Sequence, residues 1–160
     1  MTVEFNNLSA VSFKMAIKRL PDVDYRVQNA MLPGLSLGTA EVPSPFTKIP
    51  MPGNITFDDL TVSFLVGESM KDWYSIYKWM IDLGQPEELG TFPPNVADAF
   101  TDISMVVLSN GSNPIIDVKF IDAFPVNLSP LQFDVTISGI SYVHASATFR
   151  YRWMDFDFIS

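Results

Sequence analysis

The sequence predicts a mostly β protein: an antiparallel β-barrel or sandwich with one flanking α-helix and a long extended loop. Most of the 160 residues alternate apolar and polar with period two, the spacing of a strand with one buried face. A single stretch carries apolar residues at helical spacing. One long segment is punctuated by proline, which lacks the N–H that a central strand must donate. About seven strands and one helix, with no repeats and no linker, fit one domain over residues 1–160, and the length suffices for one core.

In Val11 to Arg19, Val11, Phe13, Met15 and Ile17 fall on one side, and Ser12, Lys14, Ala16 and Lys18 on the other. Pro21-Asp22-Val23-Asp24 reads as a turn, and Tyr25 to Met31 as a second strand, giving a hairpin. From Leu32 to Asn54, Pro33-Gly34, Pro43, Pro45, Pro50 and Pro52-Gly53 mark an extended excursion that could form an edge hairpin and carry Phe46, Ile49 and Met51 outward. Phe57 to Val66 returns to a strand with Leu60, Val62, Phe64 and Val66 buried. Ser69 and Asp72 make a capping pattern before the helix, whose apolar positions are Trp73, Ile76, Tyr77 and Met80. Gly84 and Pro86 stop it.

Gln85 to Asp102 reads as a loop with Pro93-Pro94. Ile103 to Leu108 is nearly all apolar and reads as a short strand buried on both faces; Asn110-Gly111 signals a hairpin. Ile115 to Ile121 places Ile116, Val118 and Phe120 inward. Leu131 to Ile137 places Leu131, Phe133, Val135 and Ile137 opposite Gln132, Asp134 and Thr136. The last strand reads as the longest: Val143, Ala145, Ala147, Phe149, Tyr151 and Trp153 share a face, and His144, Ser146, Thr148, Arg150 and Arg152 the other.

Composition narrows the function. With 18 carboxylates against 10 basic side chains the net charge is −8, which argues against wrapping nucleic acid. No cysteine means no disulfide, thiolate nucleophile or cysteine-ligated metal, and a single histidine, His144, allows no His-His metal site. The start, Met1-Thr2-Val3-Glu4-Phe5, lacks the features of a signal peptide, and no window of about 18 apolar residues spans a membrane. The expectation is synthesis in a cytosol-like compartment and no membrane insertion. Apolar residues make up 48%, rich for a soluble monomer, so some surface is expected to be covered by other copies.

Candidate chemistry is thin. Asp58-Asp59 point to opposite faces of a strand and cannot share a substrate. Asp155 and Asp157 share a face roughly 7 Å apart, an inverting-glycosidase spacing, but no cleft accompanies them. His144 has no nucleophile or acid tied to it by spacing, so a surface or interface imidazole is the better reading. Glu87-Glu88 is a solvated charge pair, and the Asn54, Asn110 and Asn127 acceptor patterns carry no weight without a secretory leader. There is no phosphate loop. The expectation is no catalytic residue, metal or cofactor: a self-assembling structural subunit, not an enzyme.

The stretch Ile55-Thr56-Phe57-Asp58-Asp59-Leu60-Thr61-Val62-Ser63-Phe64 resembles the tail-tube proteins of contractile-tailed phages of the T-even type. Phe13 to Leu20 followed by Tyr25 to Gly34, with its Leu32-Pro33-Gly34 corner, resembles that family's opening hairpin. The Trp73 to Leu83 helix comes in the same order, and Phe124 to Pro130 leading to Thr148 to Trp153 resembles its final strands. The resemblance covers nearly the whole chain.

What it implies is a subunit that closes with its own copies into hexameric rings, their sheets joined into one inner barrel. Rings stack into a tube inside a contractile sheath, and DNA passes down the lumen. Tail sheath, baseplate and neck or terminator proteins are the implied partners, and the virion tail, built in the host cytoplasm, is the implied location. Family members use the loop corresponding to Glu41–Asn54 between rings, which points to Pro43, Pro45, Phe46, Ile49 and Met51; the alternative is a loop folded back on its own barrel. A carboxylate-lined lumen would let DNA slide, and Asp117 and Asp134, on polar strand faces, are the lumen candidates, although Lys119 shares the face of Asp117 and ordinary solvated faces are the alternative. A tube-initiating or terminating ring, and the inner tube of a phage-derived injection device, remain alternatives. A small-ligand-binding barrel is the rival from another class, and an enzyme comes last.

Overall fold

The computed structural model describes residues 6–10, 12–24, 26–84 and 99–159. Val11, Tyr25, the opening Met1–Phe5 and the 85–98 stretch with Glu87-Glu88 and Pro93-Pro94 lie outside the described residues.

In chain order the elements are β1 (Phe13–Ile17), α1 (Pro21–Asp24), β2 (Val27–Met31), β3 (Leu35–Pro43), β4 (Lys48–Phe57), β5 (Leu60–Leu65), α2 (Lys71–Gly84), β6 (Thr101–Leu108), β7 (Pro114–Leu128), β8 (His144–Arg150) and β9 (Trp153–Phe158). All the pairings are antiparallel: the main sheet runs β1-β6-β7-β8-β5-β2, with β9 also on β7, and β3 and β4 form a separate pair. The expected mostly β architecture with one long helix is what forms. The expected hairpin of the first two strands is not: β1 pairs with β6, and β2 with β5. The reason lies in the link. Leu20 and Val23 are buried in the core, so α1 carries the chain across the layer instead of reversing it.

β7 is the spine and the longest strand, not the last one. It runs past the expected end at Ile121 to Leu128, and β8 and β9 lie along it as one bent run, from Leu128 opposite Ala147, through Phe124 opposite Arg150 and Ile121 opposite Trp153, to Ile116 opposite Phe158. The bend comes at Tyr151-Arg152 and Asp122. There Ile121 and Asp122 stand against Asp102 alone, a bulge with Asp122 at φ 55°. The Asp122 N–H donates to Asp102 Oδ1 at 3.3 Å, the Arg152 N–H to the Ile121 carbonyl at 2.9 Å, and Arg152 Nε sits 3.0 Å from Asp122 Oδ2. Strands that turn a corner at a bulge can switch layers, so β7 belongs to both halves of the fold. Trp153, placed by the sequence on the buried face, lies beyond this corner and is exposed.

The core fills the space between the halves. Ile17, Leu60, Val62, Phe64, Val118, Phe120, Ala145, Ala147 and Phe149 are buried, the parity the alternation predicted. β6 differs from the expectation: Ile103 and Met105 are buried, while Ser104 between them and Val106 after them are only partly so, and the strand alternates instead of burying both faces. Helix α2 closes the layer with Asp72, Ile76 and Trp79. Tyr77, expected inward, is exposed; at 100° per residue Trp79 continues the line of Asp72 and Ile76, and Tyr77 falls to the side, stacked on Trp73 at 5.6 Å. Both indole N–H groups find carbonyls, Trp73 at Ser129 and Trp79 at Ala99, each at 3.2 Å. Asp72 sits at the helix start, accepting from the Gly67 and Trp73 N–H groups at 2.9 Å each.

Leu131 to Ile137 is not a strand. Residues 130–142 form an irregular connection in which Phe133, Val135 and Ile137 are exposed. Pro130 cannot donate to the ladder after Ser129, and Asp134 Oδ1 takes the Thr136 N–H at 2.8 Å and the Thr136 hydroxyl at 2.6 Å, turning the chain locally.

Candidate functional site

The proline-spaced segment is a hairpin arm. β3 and β4 pair only with each other among the described residues, and their residues are exposed from Leu35 to Thr56 save Ser44 at the turn. Pro43, Pro50 and Pro52 are tolerated because a two-stranded ribbon consists of edges. The arm begins and ends later than expected, at Leu35 and Phe57, and takes Phe57 from the strand the sequence assigned to the body. At its tip the Ser44 N–H donates to the Thr47 carbonyl at 3.1 Å, leaving Phe46 99% exposed. Pro43, Pro45, Phe46, Ile49 and Met51 are all brought together at this far end.

A bulge divides the arm. Leu37 faces Ile55 and Thr39 faces Pro52, so Gly53 and Asn54 both stand against Gly38. A Cβ at Gly53 would lie 2.9 Å from the Gly38 carbonyl oxygen, too close for any other residue without movement. Below the bulge Leu35, Leu37, Ile55 and Phe57 share a face. Beyond it Ala40, Val42, Ile49 and Met51 share the opposite one, and Glu41 pairs with Lys48 at 3.1 Å on the other side. The ribbon thus offers apolar surface on alternate sides.

The root is clasped to the body. Phe57 packs against Tyr151 at 5.7 Å and edge-on against Trp153 at 5.2 Å. The Tyr151 hydroxyl donates to the Asp58 carbonyl at 2.8 Å, the Asp58 N–H donates to the Gly34 carbonyl at 3.0 Å, and Arg150 Nε meets Asp59 Oδ1 at 3.2 Å. Partial burial, helped by the charges of Asp58 and Asp59, pushes the Tyr151 phenol up to about 12. The sequence placed Tyr151 in the apolar row and missed its role as an anchor; the available signal was that a half-buried phenol needs a hydrogen-bond partner.

The two lumen candidates are not brought together. Asp117 is in the middle of β7, directly opposite Asp157 of β9, and accepts from the Ser104 hydroxyl. Lys119 faces Asp155 and reaches Asp157 at 3.9 Å, and exposed Lys14 of β1 lies in the same row as Asp117 across Val106, so the three carboxylates share this outward face with two ammonium groups. Asp134 is not on a strand face at all; it lies in the 130–142 connection, in a concavity of about 450 Å³ lined also by Phe133, Ile137, Tyr142 and His144. Donation from the Thr136 hydroxyl, then from its N–H, holds its carboxyl below the usual range.

His144 starts β8, exposed and facing outward, and the Asp155/Asp157 pair is tied to Lys119 across the strand instead of facing a cleft. Among the described residues no group of His, Asp and Glu side chains could hold a metal, and no helix is long and apolar enough to cross a membrane.

A family model described as phage tail tube protein matches residues 2–155. The chain belongs to the phage tail tube protein family. It is therefore a structural tail component. No curated protein matches the chain. Among solved structures it is similar to the anti-feeding prophage tube-terminating cap, at 16% identity and TM-score 0.71, with 99% of this chain and 95% of that one covered. It is equally similar to a chain of the PVC extracellular contractile injection system, from the sheath-tube complex in its extended state, at 14% identity and TM-score 0.71 over 98% and 95%. Hcp1 from Flavobacterium johnsoniae is more distant, at 14% identity and TM-score 0.50 over 91% and 94%. At such identities the shared property is the fold.

Proposed function

We propose that this chain is the repeating building block of a tail tube and not an enzyme: copies close into hexameric rings, rings stack inside a contractile sheath, and the lumen conducts DNA during ejection. The observation that carries this is the arm, a ribbon apolar on both sides and clasped at its root, with a phenylalanine almost wholly in solvent at its tip. A lone soluble chain has no use for such a ribbon, and exposed strand edges invite pairing with further copies. A surface used head to tail closes a ring or continues a filament.

In this reading Pro43, Pro45, Phe46, Ile49 and Met51 bridge successive rings. Asp117, with Asp155 and Asp157 beside it, gives a face that repels phosphate, whereas a basic lining would trap DNA by counterion release. Asp134 is the lesser lumen candidate, since it shares no face with Asp117. Sheath, baseplate and neck proteins are the partners outside and at the ends. The equal likeness to a tube-terminating cap favours, as a second reading, a ring at the end of the tube.

Electron microscopy of the purified chain at rising concentration, and of the native particle, tests the proposal. Stacked rings with a central hole are expected, and Phe46→Asp with Met51→Asp should leave rings that do not stack. A closed monomer that binds an apolar probe inside its barrel would replace the tube with a ligand carrier.

A further inference from the structure

Five large apolar side chains stand out in the connection between β7 and β8: Phe133 at 71% exposure, Val135 at 101%, Ile137 at 54%, Ile140 at 89% and Tyr142 at 72%. The base of this tip is firm. Ser129 continues the ladder, its N–H donating to the Ser146 carbonyl and its Oγ accepting from the Ser146 N–H, both at 2.8 Å, while its carbonyl takes the Trp73 indole. On the other side the Val143 carbonyl accepts from the Val66 N–H at 2.9 Å. Between these fixed points residues 130–142 pair with no strand among the described residues, although Leu131 to Ile137 alternates as a strand does.

We propose that this tip is a second self-association surface, separate from the arm, and that its occupant is another copy of this chain, against which Leu131 to Ile137 is drawn into a β-strand. The inference rests on the tube reading. Three observations support a copy over another partner. First, the chain supplies both halves of strand addition: an apolar segment of strand-like alternation with no strand partner among the described residues, and β2, which ends its sheet with β5 as its sole strand partner among the described residues and closes on exposed Met31, with exposed Leu32 after it. Second, the area is right. At about 150–250 Å² for each aromatic and somewhat less for each aliphatic, the five side chains offer on the order of 700 Å² per copy, close to the ~800 Å² that each partner contributes to a standard interface. Third, copies with a net charge of −8 repel one another, and this tip is nearly free of charge: Asp134 is the single Asp, Glu, Lys, Arg or His in residues 130–142, and that carboxylate is turned onto Thr136.

The chain has no cysteine, so position 135 can be labelled without background. A photo-cross-linker attached at Val135→Cys in assembled tubes is expected to capture a second copy, and amide exchange at residues 131–137 is expected to slow at least about tenfold on assembly. Because Val135 touches no core, Val135→Asp should melt as the native chain does yet assemble at least about tenfold more weakly. Capture within the same chain alone or on the sheath, unprotected amides in tubes, or normal assembly of Val135→Asp would each overturn the inference while leaving the tube reading intact. Failure of the native chain to assemble under any condition would remove both.

Discussion

Met70 adopts φ 55° just before α2, a left-handed conformation that costs an L-residue about 1–2 kcal/mol. Its backbone is held there because its N–H closes a turn on the Gly67 carbonyl at 2.9 Å and its own carbonyl accepts the Tyr74 N–H. Its side chain is over a third exposed, so Met70→Gly should raise stability by up to about 1 kcal/mol, read as a higher denaturant midpoint with unchanged slope. Tyr151 gives the opposite case. Its folded phenol loses its proton at about 12 against a usual 10.0, so its share of stability is whole below pH 10 and disappears as the pH climbs towards 12. Tyr151→Phe should cost about 0.5–1.5 kcal/mol at neutral pH and flatten this alkaline loss, measured by chemical denaturation across the range. Neither residue advertises itself in the sequence. Backbone handedness at Met70 comes from the local turn between Gly67 and the start of α2, which its residue type does not signal, and the partner of the Tyr151 hydroxyl is set by a chain segment far away.

At the scale of elements, parity was legible and bends were not. Leu60, Val62 and Phe64, or Ala145, Ala147 and Phe149, are read inward from period two alone, because one buried face fixes every second residue. The corner at Asp122 and Tyr151-Arg152 flips that period, from Val118 and Phe120 to Ala123 and Pro125 along β7 and from Phe149 to Met154 along the β8–β9 run, a change of phase that a single alternating strand through Trp153 passes over. Helix spacing located α2 but gave Tyr77 the place that Trp79 holds, as both lie within one turn of Ile76. The arm was visible as a run of prolines, though its pairing and the division at Gly38 and Gly53 were not. That division is testable. Gly53→Ala forces a Cβ against the Gly38 carbonyl and should splay the ribbon. Because the arm lies outside the core, the melting temperature should barely move while tube formation falls, monitored by sedimentation and microscopy.

For the whole molecule, one core holds both halves. Phe120 is fully buried and meets Tyr151 edge-on at 4.9 Å, so Phe120→Ala should cost about 3–5 kcal/mol in an unfolding titration and loosen the arm root with it. Charge acts at this scale too. With a pI near 4.4, moving from pH 7 towards pH 5 reduces repulsion between copies, and added salt does the same by screening, so both should lower the concentration at which rings appear in light scattering. Lack of such a response would show that surface charge does not limit assembly. The fold class and the arm followed from composition and patterning. The role of 130–142 did not, because alternation states that a segment can pair without stating with which chain.

The corner where β7 bends has a mechanical meaning. Both halves of the body hang on the single strand β7, so a thrust applied to either is handed to the other through its peptide bonds and the rows of hydrogen bonds on either side of the bulge. The Asp122–Arg152 bridge braces the elbow of that strut, and a subunit built this way yields at its connections with neighbours before it yields within itself.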